Sequence, residues 1–184
     1  GRLATPEGAA GGCVVCHPHP LYGGNMDNNV VVAVIDALGS AGVATLRFNF
    51  RGVGESGGAH ARGIGEIDDV RAAVDALAAA GGFTKIAVVG YSFGSVVALG
   101  FARKEATAEA TLLGSVAAVA PPLGMFDAAF ATRLPFPLLL VAGDRDSYCP
   151  KPDFEALVAD LSPNGSSLLL ESADHFFGGR EGEV

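Results

Sequence analysis

Short apolar runs and helical segments alternate along the whole chain. The runs are rich in Val, Leu and Ile and have the length of buried strands; they cover residues 13–16, 43–50, 85–90, 115–120, 138–142 and 167–171. Between them, helical patterns cover residues 28–38, 66–80, 93–104 and 153–161. This order is typical of βαβ units. It predicts an α/β fold with a mostly parallel central sheet, helices on both faces and one domain spanning residues 1–184.

The second helical segment shows the pattern most clearly. Apolar residues recur at offsets of three and four, at Ile67, Val70, Val74 and Leu77. Charged residues occupy the other side, at Asp68, Asp69, Arg71 and Asp75. We therefore expect one face of this helix to be buried against the sheet and the other to be hydrated.

Charge and hydropathy argue against two classes of partner. The chain has 12 Lys and Arg against 20 Asp and Glu, a net charge of −8, and its basic residues are scattered. Such a distribution offers no positive stripe to nucleic acid or to an anionic membrane. No apolar run approaches the ~18 residues that a membrane-spanning helix needs. We expect a small-molecule partner, with no nucleic acid and no membrane; the oligomeric state stays open.

The three cysteines point to packing rather than chemistry. Cys13 and Cys16 form a C-x-x-C pattern inside an apolar run, where an offset of three places two side chains on opposite faces of a strand. Free cysteines of this kind behave as small buried hydrophobic residues. So few cysteines suit a reducing compartment, so we expect a cytoplasmic protein. Because the chain begins at Gly1, a processed N-terminus is an alternative.

The most specific motif is the pentapeptide Gly-Tyr-Ser-Phe-Gly at residues 90–94, which follows a predicted strand and opens a predicted helix. A G-x-S-x-G sequence in this context is a nucleophile elbow, in which a sharp turn exposes the serine hydroxyl above the sheet. Its glycines are needed because a Cβ would collide across so tight a turn. Ser92 is therefore the candidate nucleophile.

A serine hydroxyl needs a general base and an acid that orients that base. Asp144 and Asp146 follow the strand that ends near Ala142, and His175 follows the last strand. The order serine, acid, histidine is the one found on sheets of this type. Of the four histidines only His175 comes after both, and His60 lies in a glycine-rich loop where a hydrated surface position is expected.

Four stretches together resemble the α/β-hydrolase superfamily, and within it small, lid-poor members related to dienelactone hydrolases. They are residues 17–24 (HPHPLYGG), 51–56 (RGVGES), 90–94 (GYSFG) and 143–146 (GDRD). The resemblance implies an α/β-hydrolase fold with a minimal cap and a catalytic triad of Ser92, Asp146 and His175. Asp144 is then expected to brace its loop. Dienelactone hydrolases proper have a cysteine nucleophile, so their lactone substrate is not implied for this chain.

The resemblance also implies an oxyanion hole made by two backbone N–H groups. One belongs to Phe93, after the nucleophile. The second comes from the loop after the first central strand, where Pro20 has no N–H, so Leu21 is the expected donor. Tyr22 is then beside the pocket. A metal site formed by His17, His19 and Asp144 is the alternative, but that spacing matches no zinc signature, so neither a metal nor a cofactor is expected.

Little sequence is left to build a lid. The interval from residue 121 to 136 is short and holds at most a helical turn or two. It offers apolar candidates for a shallow wall, of which we expect Met125 and Phe126, together with Tyr148 from the acid loop, to contact substrate. Leu123, Phe130 and Phe176 are weaker candidates, and Phe130 is expected to pack on the sheet instead. Arg51 is expected to brace a turn.

Three functions are compatible with these residues. The first is the hydrolysis of small carboxylic esters by an acyl-enzyme mechanism on a Ser-His-Asp triad. The second is a thioesterase or peptidase that uses the same triad. The third is a binding protein with the hydrolase fold and no catalysis, a class that usually loses the serine or the histidine. The short ends of the chain lead us to expect that terminal elements of the fold are trimmed or disordered.

Overall fold

A seven-stranded sheet carries the fold in a computed structural model that describes residues 1–184. Its strands are β1 (Arg2–Ala4), β2 (Gly11–Cys16), β3 (Val43–Arg47), β4 (Ile86–Tyr91), β5 (Leu113–Val119), β6 (Leu138–Gly143) and β7 (Gly165–Leu170). The order across the sheet is β1-β3-β2-β4-β5-β6-β7. All neighbours are parallel except β1, which pairs antiparallel with β3 at the edge. The predicted α/β fold with a mostly parallel sheet is confirmed.

Four helices connect the strands at the positions that the sequence predicts. They are α1 (Asn29–Ser40), α2 (Glu66–Gly81), α3 (Phe93–Glu105) and α4 (Lys151–Ala159). The buried residues of α2 are on the predicted face and include Val70, Val74 and Leu77. None of the helices combines the length and the apolarity that crossing a bilayer would require.

The sheet is covered on both faces. The larger core packs α2, α3 and α4 against one face, with Val14 and Cys16 of β2 among its members. On the other face Cys13 and Val15 pack against Val31 and Val34 of α1. The two cysteines are thus fully buried on opposite faces, as their spacing predicts. Burial raises the pKa of the Cys13 thiol to about 12, so it stays protonated and unreactive at neutral pH.

Two strands differ from the sequence prediction. β1 was not predicted, because its three residues are exposed and carry no apolar pattern. β3 ends at Arg47, short of the predicted residue 50, although Phe48 and Phe50 are buried. Here the chain leaves the sheet, and the N–H of Phe50 donates to the ring of His17 instead of to a neighbouring strand.

This topology brings several loops to one edge. Parallel strands point their carboxyl ends the same way, so the loops after β2, β4, β6 and β7 converge there. β4, which precedes Ser92, lies in the centre of the sheet between β2 and β5. The segment between β5 and β6 contains a short 3-10 helix, Ala129–Arg133, that packs beside α3 and α4.

Candidate active site

Ser92 occupies a strained turn between β4 and α3. Its backbone has φ 54° and ψ −119°, a conformation that L residues rarely adopt. A Cβ at Gly90 would lie 2.1 Å from the carbonyl oxygen of Gly94, and a Cβ at Gly94 would lie 2.4 Å from that of Cys16. Only glycine fits at both positions. The turn places the serine at the N-terminus of α3, where free N–H groups favour negative charge.

A chain of hydrogen bonds joins the serine to a histidine and an aspartate. His175 Nε2 lies 2.9 Å from Ser92 Oγ, and His175 Nδ1 lies 2.7 Å from Asp146 Oδ2. The other carboxylate oxygen of Asp146 accepts the N–H groups of Tyr148 at 2.8 Å and Cys149 at 2.9 Å. A carboxylate has no proton to give, so Nδ1 must donate and Nε2 is left to accept the serine proton. This arrangement can activate Ser92 as a nucleophile.

A hydrogen bond from the end of β4 holds the loop that carries His175. The hydroxyl of Tyr91, the residue before the serine, donates to the carbonyl oxygen of His175 at 2.9 Å. Burial raises the pKa of Tyr91, so the hydroxyl keeps its proton. A Cβ at Gly143 would lie 2.2 Å from the carbonyl oxygen of Ala173, so a glycine lets the acid and histidine loops approach each other.

The two candidate acids have different contacts. Asp146 is almost completely buried and contacts His175, whereas Asp144 Oδ1 accepts the N–H of Ser172 at 2.6 Å. Asp144 therefore joins the loop after β6 to the turn before His175, which is the bracing role expected of it. Arg51 likewise braces its turn, since its guanidinium binds both carboxylate oxygens of Asp69.

The two histidines after β2 have structural partners. His17 is fully buried; its Nδ1 donates to the carbonyl oxygen of Pro18 at 2.7 Å, and its Nε2 accepts the N–H of Phe50 at 3.0 Å. Burial lowers the pKa of His17 to about 4, so the ring is neutral. His19 Nδ1 accepts the N–H of Leu21 at 3.2 Å. No group of three or more His, Cys, Asp or Glu side chains is arranged to hold a metal ion.

The two N–H groups expected to form the oxyanion hole differ in whether they already have a hydrogen-bond partner. Phe93 follows Ser92 and begins α3, so its N–H has no partner within the helix. The N–H of Leu21 is occupied by His19. The loop that holds Leu21 nevertheless lies against the elbow, because the ring of His19 is 4.8 Å from that of Phe93.

The four residues expected to contact substrate fall into two groups. Tyr148 has its ring 4.7 Å from that of His175 and is half-exposed, and Tyr22, beside His19, is almost fully exposed. Met125 and Phe126 instead line a cavity of about 540 Å³ beside α4, which contains neither Ser92 nor His175. The reason is that their neighbours Ala128, Ala131, Leu134 and Phe136 are buried in the core, which draws the segment towards α3 and α4.

The sequence analysis did not identify one pair of side chains near the site, His60 and Glu66. The side chain of His60 is only 13% exposed, so the expectation of a hydrated surface residue is wrong. Its Nδ1 lies 2.9 Å from Oε1 of the fully buried Glu66, which also accepts the N–H groups of Ala61 and Gly63. The ring of His60 contacts that of Phe93. The sequence did contain a signal for this pair. Glu66, at the start of α2, lies on the side of the helix that apolar residues otherwise occupy.

Comparisons with known proteins agree with this fold. The sequence matches the family model described as alpha/beta hydrolase fold over residues 15–138. An uncharacterized protein of Rickettsia prowazekii is 35% identical in an alignment of 173 residues that covers 89% of this chain and 71% of the relative. An alpha-beta serine hydrolase homologue from Coxiella burnetii superposes with a TM-score of 0.85 at 34% identity, over 98% of this chain and 85% of that one. An a/b serine hydrolase without lid from Xanthomonas campestris gives 0.83 at 30%, over 97% and 81%.

His17 makes the stability of the protein depend on pH. Its folded pKa of about 4 lies below the ordinary value of 6.5, so between these values the unfolded chain binds a proton that the folded chain does not. Stability is therefore present above pH 6.5 and is lost as the pH falls towards 4. Urea unfolding should show a loss of about 2 kcal/mol from pH 7 to pH 5 through this residue. His17→Gln should flatten that slope; an unchanged slope would assign the effect to other groups.

Proposed function

Since the chain belongs to the α/β-hydrolase family, we propose that it is a serine hydrolase that cleaves small carboxylic esters through an acyl-enzyme formed on Ser92. The observation that carries the proposal is the continuous hydrogen-bond chain from Ser92 through His175 to Asp146. The position of Ser92 also supports the proposal. The serine lies on a strained elbow at the N-terminus of α3, where free N–H groups can stabilise a developing oxyanion.

In the proposed mechanism, each hydrogen bond between Ser92, His175 and Asp146 has its own role. Ser92 Oγ attacks the ester carbonyl while His175 Nε2 takes its proton. Asp146 holds the imidazole in place and stabilises the imidazolium, because its other oxygen is fixed by two backbone N–H groups. The N–H of Phe93 stabilises the oxyanion. His175 then returns the proton to the leaving alcohol, and water, deprotonated by the same nitrogen, releases the acid.

An ester is favoured as substrate by the small number of exposed side chains around the triad. Neither the cavity of about 540 Å³ nor a second of about 230 Å³ contains Ser92 or His175. Of the aromatic rings around His175, that of Tyr91 is buried, and those of Tyr148 and Phe176 are exposed. Two exposed rings provide little surface with which to hold a peptide in register. Thioesters and peptides, which the same three residues could cleave, serve as the competing substrates below.

The first test combines labelling and a substrate panel. A fluorophosphonate should label the wild-type protein at Ser92, and p-nitrophenyl butyrate should be turned over faster than an acyl thioester or an aminoacyl anilide. Ser92→Ala should lose the label and lower turnover by several orders of magnitude, because the members of a triad act as a unit. Full ester turnover by Ser92→Ala would refute the proposal, and a preference for the thioester or the anilide would replace the substrate class.

The two aspartates provide a matched pair of variants. Asp146→Asn should lower kcat by about 10⁴-fold, the loss known for this change in a serine protease triad, because an amide no longer holds the imidazole in the required tautomer. Asp144→Asn removes a charge from the same loop but does not touch His175, so its effect on kcat should be less than about tenfold. Steady-state kinetics of both variants decides the assignment, which is reversed if Asp144→Asn is the more damaging.

Acyl chain length tests the shape of the site. Each methylene that can be buried should contribute about 0.8 kcal/mol to transition-state binding, and a methylene that projects into water contributes nothing. For p-nitrophenyl esters we expect kcat/KM to rise from acetyl to about butyryl or hexanoyl and then to fall, with no activation at an oil interface. A kcat/KM that climbs through dodecanoyl esters would demonstrate a long acyl groove and contradict this prediction.

A further inference from the structure

The cavity beside α4 is separate from the triad. Its volume of about 540 Å³ falls within the range of about 300 to 1,000 Å³ found for small-molecule sites. It lies between the segment after β5 and one face of α4, and Leu123, Met125, Phe126 and Leu157 give it apolar surface. None of the three triad residues lines it. The cavity can therefore hold a small molecule without involving the serine.

One face of α4 forms a wall of the cavity. Its lining residues are Asp153, Ala156, Leu157 and Asp160, whose offsets of three, four and seven are the spacing of a single helix face. A helix rises about 1.5 Å per residue, so the two aspartates are about 10 Å apart along the axis. The wall thus has an apolar centre with a carboxylate on either side.

All the charged residues that line the cavity are acidic. The third is Asp127, from the segment after β5, and no lysine or arginine is among the lining residues. None of the three aspartates takes part in an ion pair of the chain. Lys151, the one basic residue of α4, pairs with Glu155 instead. The apolar surface therefore lies among three carboxylates whose charge nothing in the chain neutralises.

Local structure explains two of these aspartates but not the third. Asp127 accepts the N–H of Ala129 at 2.9 Å, and Asp153 is in the first turn of α4, where a negative charge is favourable. Asp160 caps the C-terminus of the same helix, where the helix dipole is also negative. A carboxylate there is unfavourable, the more so in a chain with a net charge of −8. A cation bound in the cavity would offset this repulsion.

We propose that the cavity binds a small apolar ammonium ion, whose hydrocarbon part packs on Phe126 and Leu157 and whose charge lies among the three carboxylates. An aromatic ring at the site favours this class of ligand, because the face of a ring attracts ammonium groups. Phe130, whose ring is 6.1 Å from that of Phe126, already has the guanidinium of Arg103 over it at 4.9 Å. The inference does not rest on the proposed function, since the cavity contains no triad residue.

Three ligands of similar shape test the role of charge. Phenylpropylammonium should bind the wild type at least about tenfold more tightly than phenylpropanol, and phenylpropionate should bind most weakly. An exposed charge pair contributes up to about fivefold to affinity, so two such pairs suffice for the difference. NMR titration of the isotope-labelled protein measures Kd and locates the ligand. The amide resonances of Ala129 and Ala156 should move, and those of Ser92 and His175 should not.

Substitutions on α4 separate the charge from the shape of the cavity. Asp153→Asn and Asp160→Asn should each weaken binding of phenylpropylammonium about two- to fivefold and leave that of phenylpropanol unchanged. Glu155→Gln removes a negative charge from the same helix outside the cavity, so this control should change neither affinity. Ala156→Phe should abolish binding of both ligands by filling the cavity, and the exposed position of Ala156 lets the fold accept the larger side chain.

The contrary outcomes are equally specific. Equal affinity for the ammonium ion and the alcohol, or no binding of the ammonium ion, would overturn the proposal. So would resonance shifts at Ser92 and His175 in place of those at Ala129 and Ala156, or self-association in sedimentation that Ala156→Phe abolishes, which would assign the cavity to a second copy of the chain. If a variant does not fold, the comparison of the three ligands on the wild type decides. Binding that persists in Ser92→Ala supports the site even if the proposed function fails.

Discussion

The close approach of three backbone segments at the elbow determines where every other part of the site can lie. Gly90 and Gly94 fold so tightly that neither has room for a Cβ, and Gly94 contacts the end of β2. Ser92 is held at φ 54° as a consequence. A residue in that region costs about 1–3 kcal/mol, which the surrounding buried sheet must supply. The turn fixes the half-buried serine beside the free N–H groups at the start of α3.

The remaining loops are held by polar contacts to backbone groups as well as by the packing of Cys149, Ala173 and Phe177 in the core. Asp146 binds two N–H groups, Asp144 binds the N–H of Ser172, and Tyr91 binds the carbonyl of His175. Backbone partners cannot rotate away as side chains do. The imidazole therefore meets the serine at hydrogen-bond distance although it lies in a loop after the last strand, and nothing from a lid is needed to place it.

The sequence predicted the features that depend on local pattern and missed those that depend on where loops meet. The central strands are continuous apolar runs because parallel strands are buried on both faces, so all six were found, while the exposed β1 was not. Ser92 and His175 stand out by motif and chain order, but separating Asp146 from Asp144 required a family resemblance. His17 and His19 look alike in sequence, yet His17 is fully buried and His19 is half-buried. The proline after His19 is the one local sign that His19 caps a turn, since proline favours the first position of a helical turn.

The segment between β5 and β6 contributes mainly to the core. Four of its residues, Ala128, Ala131, Leu134 and Phe136, are buried in the main core, and Phe126 and Phe130 pack against that core. These apolar side chains therefore pack in the core beside α3 and α4 and are not available to form a cover over the site. Under the proposed function, contacts to the substrate would come instead from the exposed rings of Tyr22, Tyr148 and Phe176, which lie in the loops after β2, β6 and β7.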